Sequence, residues 1–360
     1  MAFWLSIPLL VYLFWGLKAI MALKGRATQS KNGKYKDFEP KKIQLLLAFR
    51  NAIHELPSLL QSLKNQTYTG NWELLMADDG STDGSAEYLV QNAAKLPLKL
   101  LKLPAQGKKA AIQQLVKASD GDILIFTDAD CQLPSNWISS MTLPFKNPQI
   151  EMVLGPVVYN HSPQRWNAWF TLDFLALVRA TQAGVYLKKP FMANGANMAV
   201  RTSTRKNLSE QDLNLQLLSG DDVFVLHAIL KQFGPNALYF EDEALVLTNA
   251  PKSWKAFINQ RIRWGSKAKY YQNNMAQYTS LLVFTANLSI LLLCLIPGPW
   301  LLLWPLKALI DYLIIAPGAQ QWKRADAKPH YLSLALVYPF YLVATALLAI
   351  IRTQKTQSWN

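Results

Sequence analysis

Two aspartates, Asp128 and Asp130, stand one residue apart directly after the charge-free run Ile123-Leu124-Ile125-Phe126. The run reads as a strand buried on both faces, which puts both carboxylates at its carboxyl end. Open α/β sheets place their ligands there, and two hard oxygen ligands at such a point suit a divalent cation bridging phosphate oxygens. A strand followed by a plain acidic turn is the other reading, and context must choose between them. Two further acidic pairs supply that context. Asp78-Asp79 opens Asp78-Asp79-Gly80-Ser81-Thr82-Asp83-Gly84-Ser85, a loop of turn formers after an apolar stretch. Ser219-Gly220-Asp221-Asp222 begins a predicted helix that ends near Phe233, before Gly234-Pro235. Carboxylates in the first turn of a helix commonly just complement its dipole. A second acidic cluster facing the first would cost repulsion, and that favours a working role for Asp222. In Gln260-Arg261-Ile262-Arg263-Trp264 the spacing i to i+3 puts Gln260 and Arg263 on one helical face, with Trp264 adjacent.

The elements that must position these residues alternate. Strands are predicted at 43–49, 72–77, 98–103 and 123–126, with helices at 55–64, 86–94 and 108–118, the second of them capped by Ser85 or Asp83. Such alternation argues for a mostly parallel α/β sheet. Polar residues then follow three strand ends: Arg50-Asn51 after Phe49, Asp78-Asp79 after Ala77, and Asp128 to Asp130 after Phe126. They could converge on one nucleotide. Beyond them we expect a helix over 134–145, a strand over 151–159 broken by Gly155-Pro156, and a long aromatic-rich helical segment over 162–186, read as a core helix, with a place at the membrane interface as the alternative. A Gly-containing turn at 194–197 then leads into a short strand; another strand is expected at 245–248, and a basic aromatic helix at 251–271.

The apolar content is concentrated at the ends. Residues 1–17 carry no charge, and charge-free gaps also lie between Lys269 and Lys307 and, but for His330, between Lys328 and Arg352. A membrane span needs about 20 mainly apolar residues. The first run is followed, not preceded, by Lys18, Lys24, Arg26, Lys31, Lys34 and Lys36, the charge order of an anchor rather than a secretory signal. The expected organisation is an N-terminal anchor over 1–24, a catalytic α/β domain over 25–273 that begins with a basic linker, and a C-terminal membrane region over 274–360. That region should hold about three apolar segments, at 278–296, 300–316 and 331–351, of which the second spans or re-enters. The positive-inside rule puts the catalytic domain in the cytoplasm.

The net charge of +14 is then read as a collar meeting anionic lipid and an anionic substrate, not nucleic acid, since no basic tail or aromatic-interleaved basic stripe is present. The two cysteines, Cys131 and Cys294, exclude a disulfide framework, and the four histidines have no metal-ligand spacing.

Taken in order, Asp-Asp-Gly-Ser-Thr-Asp at 78–83, Gly-Lys at 107–108, Asp-Ala-Asp at 128–130, Gly-Ala-Asn at 195–197, Asp-Asp at 221–222 and Gln-x-x-Arg-Trp at 260–264 resemble the motifs of family 2 glycosyltransferases. The resemblance covers roughly Gln44 to Lys267. It points to the membrane-bound branch, with ceramide glucosyltransferases and hyaluronan, chitin and cellulose synthases. It implies a GT-A fold, Rossmann-like and mostly parallel, joined to transmembrane helices, and an inverting single displacement from a UDP-sugar of glucose or N-acetylglucosamine type. By the same resemblance Asp79 contacts the uracil, Asp78 supports its loop, and Arg50, Asn51 and Lys108 lie on the nucleotide side. Asp128 and Asp130 meet the diphosphate and its Mg²⁺ or Mn²⁺. Asp222 is the general base beside Asp221, while Gln260, Arg263 and Trp264 complete the catalytic set. Two departures are visible: Asp221 stands where the family usually has Glu, and Ala52 follows Arg50-Asn51 where Glu is frequent.

The function expected is transfer of one sugar to a lipid or lipid-linked acceptor by a multi-pass protein of a bacterial inner membrane. A processive polysaccharide synthase is the alternative, favoured by the Gln-x-x-Arg-Trp sequence; an inactive membrane scaffold is a second.

Overall fold

The computed structural model describes residues 1–25, 40–162, 164, 166–215, 217 and 220–351. Most of the basic linker, with Arg26, Lys31, Lys34 and Lys36, lies outside the described residues, as do Ser219 and Arg352. The elements run α1 (Ala2–Gly25), β1 (Ile43–Phe49), α2 (Leu56–Lys64), β2 (Trp72–Asp79), α3 (Ser85–Asn92), β3 (Leu98–Leu103), α4 (Lys108–Ala118), β4 (Ile123–Phe126), α5 (Trp137–Thr142), β5 (Met152–Leu154) and β6 (Val157–Tyr159). They continue with α6 (Asn167–Tyr186), β7 (Met198–Arg201), α7 (Thr202–Asn207), α8 (Asp221–Phe233), β8 (Leu238–Phe240), β9 (Val246–Thr248), α9 (Trp254–Gly265), α10 (Asn274–Leu293), α11 (Leu303–Gln321) and α12 (Tyr331–Ile351).

The chain divides into two compact units: the described residues within 31–158 and 192–249 form one, and those within 1–30, 159–191 and 250–353 form the other. The first is the α/β unit. Its seven-stranded sheet has the order β3-β2-β1-β4-β7-β5-β8. β1, β2, β3 and β4 are mutually parallel, with Phe49 opposite Asp78 and Leu46 opposite Phe126. β7 runs antiparallel to β4 and β5, so its first residue, Met198, pairs with Phe126 at the carboxyl end of β4. All seven residues of β1 and all four of β4 are buried, as continuous apolar runs in the middle of a parallel sheet should be. Gln44 is the polar exception. Its amide donates to Glu73 and Asp120, both at 2.7 Å, and accepts from the Asp120 and Gly121 N–H groups, so its burial leaves nothing unpaired.

Helices cover this sheet through the periodicity the sequence displays: α2 buries Leu56, Leu59, Leu60 and Leu63. Several boundaries differ from expectation. The run 151–159 splits at Gly155-Pro156 into β5, in the large sheet, and β6, which pairs with β9. Gly155 is required there because a Cβ would fall 2.3 Å from the Asn197 amide nitrogen. The helix expected over 134–145 is only α5 followed by a 3-10 turn at Leu143–Lys146. Neither Asp83 nor Ser85 caps α3: the capping position is Gly84, the Ser85 N–H bonds the Asp83 carboxylate, and the Ser85 hydroxyl accepts from the Ala52 N–H. α7 and β8 are too short to leave a periodic signal in sequence.

The second unit is helical. Among the described residues four helices are long and apolar enough to cross a membrane: Ala2–Gly25, Asn274–Leu293, Pro299–Gln321 and Ala325–Ile351. The third, at 23 residues, contains the segment expected at 300–316 and has the length of a span rather than a re-entrant loop. Large apolar side chains such as Phe3, Phe14, Leu281, Leu332 and Phe340 stay exposed on these helices, the surface a hydrocarbon phase would cover. α6 and α9, expected inside the 25–273 domain, belong to this unit. The reason is aromatic and ionic packing. Phe170 stacks on Phe257 at 4.1 Å between ring centres, Arg261 pairs with the buried Asp173 carboxylate, and the Tyr341 hydroxyl donates to the same carboxylate. The helix expected over 251–271 is accordingly shorter: α9, begun by the Ser253 hydroxyl accepting from the Ala256 N–H at 3.2 Å, and a 3-10 turn at Ala268–Tyr270.

Candidate active site

The sheet order reverses at β1, whose neighbours are β2 on one side and β4 on the other. In a doubly wound sheet that reversal opens a crevice at the strands' carboxyl ends. Arg50-Asn51 and Asp128 to Asp130 leave the sheet at this edge, Asp78-Asp79 end β2 there, two residues beyond the expected strand, and the antiparallel β7 brings Gly195-Ala196-Asn197 to it from the other direction.

The first two loops are sewn together. The Asn51 N–H donates to the Ser81 hydroxyl at 2.9 Å, the Asn51 side-chain carbonyl accepts from the Thr82 N–H at 2.8 Å, and the Ile53 N–H donates to Asp83 at 3.1 Å. Asp78 accepts from the Ser81 N–H at 2.9 Å. The resemblance sets Asp79 against a base; here Asp79 is fully buried and its two carboxylate oxygens accept from the Gln106 and Gly107 N–H groups, each at 2.8 Å. That makes it a brace for the loop that delivers Lys108 to the start of α4. Arg50 lies half-buried beside them at the end of β1.

Lys108 reaches across to Asp128, donating from Nζ at 2.5 Å. Burial works against the Lys108 charge, but Asp128 and then Asp221 outweigh it and hold the ammonium above its ordinary value. Asp130 is oriented by the Thr248 hydroxyl of β9, which donates to it at 2.7 Å. Burial, then the neighbouring Asp128 charge, pushes the Asp130 carboxyl above the usual carboxylate range. A carboxylate disfavoured in this way is stabilised by a cation, and this donor set suits one. Among the described residues no cluster of three His, Cys, Asp or Glu side chains is present, so two carboxylates would leave the remaining positions to phosphate and water oxygens, the habit of Mg²⁺ and Mn²⁺ at phosphate sites.

α8 completes the unit's polar edge. Gly220, at φ +96°, adopts the left-handed turn that starts the helix. Asp222 then accepts from the Gly195 N–H at 3.1 Å and from the Val223 N–H at 2.8 Å. Gly195 leaves room for it, its missing Cβ falling 3.5 Å from that of Asp222. Asp221 acts electrostatically on Lys108 and on Arg205 of α7. Arg205 is 2% exposed, and burial pushes its guanidinium down to about 10 against the opposing pull of Asp221.

Asn197 is a structural pin: fully buried, it accepts from the Trp137 indole at 2.9 Å and donates to the Pro156 and Ala244 carbonyls at 2.9 and 2.6 Å. Thr248 and Arg205 are the residues sequence reasoning missed. A lone Thr in a three-residue strand and a lone Arg in a short helix carry no motif; only the pairing of distant elements brings them to Asp130 and Asp221.

The remaining expected residues, Gln260, Arg263 and Trp264, lie on α9 in the helical unit. There the Gln260 carbonyl accepts from the Tyr159 hydroxyl at 3.0 Å and from Arg261 at 2.7 Å, and the Arg261 guanidinium covers the Trp264 ring at 4.4 Å. Burial opposes the Arg261 charge, yet Asp173 more than offsets it and keeps the guanidinium above its ordinary value.

Residues 45–207 match the model of glycosyl transferase family 2. This is a family 2 glycosyltransferase domain. It holds the loops after β1, β2 and β4 and the turn before β7. Over 99 residues the chain is 33% identical to the undecaprenyl-phosphate 4-deoxy-4-formamido-L-arabinose transferase of Salmonella choleraesuis, covering 26% of this chain and 30% of that protein. It is 29% identical over 116 residues to a beta-monoglucosyldiacylglycerol synthase of Nostoc sp., covering 31% and 25%, and 25% identical over 184 residues to the glycosyltransferase AglE of Haloferax volcanii, covering 50% and 59%. The matches thus span 25–59% of the length of these relatives. In three dimensions the chain resembles the mannosyltransferase PcManGT of Pyrobaculum calidifontis, solved with GDP-Man and Mn²⁺. The TM-score is 0.59 at 15% identity, over 94% of this chain and 99% of that one. At that identity the likeness is one of fold.

Proposed function

We propose that the chain transfers a sugar from a nucleoside diphosphate sugar, a UDP-sugar in our reading, to a lipid or lipid-linked hydroxyl, with inversion. The observation that carries this is the juxtaposition of Asp128, Asp130, Lys108 and Asp221 at the switch point of the family 2 sheet, with Asp222 held at Gly195 on the same edge. The chemistry follows from charge. A nucleoside diphosphate leaves only when its developing negative charge is neutralised, which a divalent cation at Asp128 and Asp130 supplies when bound. Lys108 adds a positive charge beside Asp128. Asp222, an acceptor fixed by two backbone amides, takes the proton of the attacking hydroxyl as it adds to the anomeric carbon. Arg50 and Asn51 stand on the nucleotide side. A lipid acceptor is supported by the four apolar helices, and by relatives whose names specify undecaprenyl phosphate and diacylglycerol. We place the family 2 domain on the cytoplasmic face of a bacterial inner membrane, following the lysines after α1.

Incubation of the purified full-length protein with radiolabelled UDP-glucose or UDP-N-acetylglucosamine, Mn²⁺ and membrane lipids tests this. A single labelled product extracted into organic solvent supports it. High-mass, glycosidase-digestible polymer would instead establish the processive alternative, and absence of any transfer from UDP- or GDP-sugars would sink both.

A further inference from the structure

The helical unit contains a cavity of about 190 Å³, lined by α1, α6, α10, α11 and α12. One water occupies about 10–15 Å³ on the same measure, so the space takes on the order of a dozen non-hydrogen atoms. Its wall is mostly alanine, leucine and aromatic side chains, with a few polar groups placed among them. Lys307, 3% exposed, donates to Asp311 at 2.7 Å, and the Tyr12 hydroxyl donates to the same carboxylate at 2.8 Å. The pair is neutral as a whole and already hydrogen-bonded. Ionisable residues within an apolar span are costly and by default mark a function.

Two hydroxyls on the same wall are unused. Among the described residues the Thr279 oxygen is buried with no hydrogen-bond partner, and the Tyr338 hydroxyl makes no hydrogen bond. A helical threonine ordinarily satisfies itself on a carbonyl one turn earlier, so an unpaired one on a cavity-lining residue leaves a hydroxyl for a ligand atom to pair. Asp173, on the wall as well, is committed to Arg261 and Tyr341. The other lysine of the wall, Lys189, is exposed, and its ammonium lies over the Trp15 ring.

We propose that this cavity seats the polar head and first carbons of an uncharged, hydroxyl-bearing lipid, recognised by Thr279 and Tyr338 beside the Lys307–Asp311 pair. Apolar walls take the chain, and free hydroxyls take a hydroxyl or ester oxygen. A lipid phosphate is disfavoured because the buried lysine is already neutralised and two carboxylates share the wall. The proposal rests on the reading of the chain as a transferase acting on lipid, and narrows the acceptor to a neutral lipid rather than a polyprenyl phosphate.

The test compares radiolabelled dioleoylglycerol with dioleoylphosphatidic acid, the same chains with and without a charged head, in equilibrium binding to the purified full-length protein. Saturable dioleoylglycerol binding, at least tenfold tighter than phosphatidate, is expected. Ala308→Trp, which fills the space, should cut it tenfold or more, and the conservative pair Thr279→Val with Tyr338→Phe several-fold at an unchanged gel-filtration profile. Phosphatidate binding as tight as dioleoylglycerol, or wild-type dioleoylglycerol binding by both variants, overturns the proposal. Asp222→Asn separates the two readings. It should retain lipid binding, so binding without any sugar transfer by the wild type discards the transferase and keeps the cavity site, whereas transfer to dioleoylglycerol undiminished in Ala308→Trp discards the site and keeps the transferase.

Discussion

Asp222 accepts two backbone N–H groups, so replacing it by Asn keeps its shape and removes its charge. We expect Asp222→Asn to lower kcat for sugar transfer by about 10²- to 10⁴-fold, with donor-nucleotide affinity unchanged; loss of donor binding instead would assign it to the donor rather than to the acceptor proton. Thr248 has a different job. It aims Asp130 through one hydrogen bond, and outer partners of this kind are typically worth about 10- to 100-fold in metal affinity. Thr248→Val should weaken Mn²⁺ binding by that factor, read from titration of intrinsic fluorescence in the presence of UDP. Unaltered Mn²⁺ affinity would leave Thr248 a packing residue. At this scale the acidic pairs were legible because their types and spacing are local. Their supports were not. Thr248 lies 118 residues from Asp130, and the charge near Asp221 comes from Lys108 and Arg205 on two other helices.

Between elements, single polar side chains join loops that the sheet merely brings near. Asn197 links α5, the turn after β5 and the segment before β9. Asn197→Ala leaves the Trp137 indole and the Ala244 carbonyl without these partners in a buried site, while the Pro156 carbonyl keeps the Val246 N–H, and with each orphan costing about 1–3 kcal/mol we expect a loss of about 2–5 kcal/mol. Thermal unfolding followed by tryptophan fluorescence measures it, and a shift no larger than that of a surface substitution would contradict the pinning role. Asp83 joins the first loop to the second. Burial raises its pKa, but hydrogen bonds from the Ser85 hydroxyl and from the Ile53 and Ser85 amides prevail and hold it below the ordinary value. A folded-state pKa below the unfolded one stabilises above the unfolded value and is lost as pH falls through the folded one. The Tm difference between wild type and Asp83→Ala should therefore be full at pH 7 and shrink below about pH 4; a gap independent of pH would mean that the carboxylate charge plays no part. Strands β1, β3 and β4 and helix α4 were legible from apolar runs and 3.6-residue spacing. The partition of 151–159 between two sheets was not, because it depends on Asn197 standing where a Cβ on Gly155 would be.

Across the whole molecule, each unit is stabilised by the device its surroundings demand. The α/β unit relies on continuous apolar strands. The helical unit, with apolar residues outside as well as in, places its specific contacts in buried polar pairs, chiefly Arg261 with Asp173. Removing one partner of a buried pair costs about 3–5 kcal/mol, while replacing both by apolar residues is often neutral. Asp173→Leu and Arg261→Met should each lower the Tm of the detergent-solubilised protein markedly, and the double substitution should recover most of the loss. Additive losses in the double variant would show that the two residues act separately. The apolar spans were legible at this scale from charge-free length alone. The allegiance of α6 and α9 was not, because their amphipathic patterns serve equally for a soluble core and for packing on membrane helices.

The sequence by itself determined the α/β order, the three acidic pairs at element ends and the apolar runs long enough to span a bilayer, because each is written in local spacing and local composition. Tertiary structure alone decided that Asp79 braces a loop, that Thr248 holds Asp130, that Asp222 meets Gly195, and that two unpaired hydroxyls share a cavity wall with Lys307 and Asp311. Those outcomes depend on strand order and helix packing. They join residues tens to hundreds of positions apart, for which no periodicity exists.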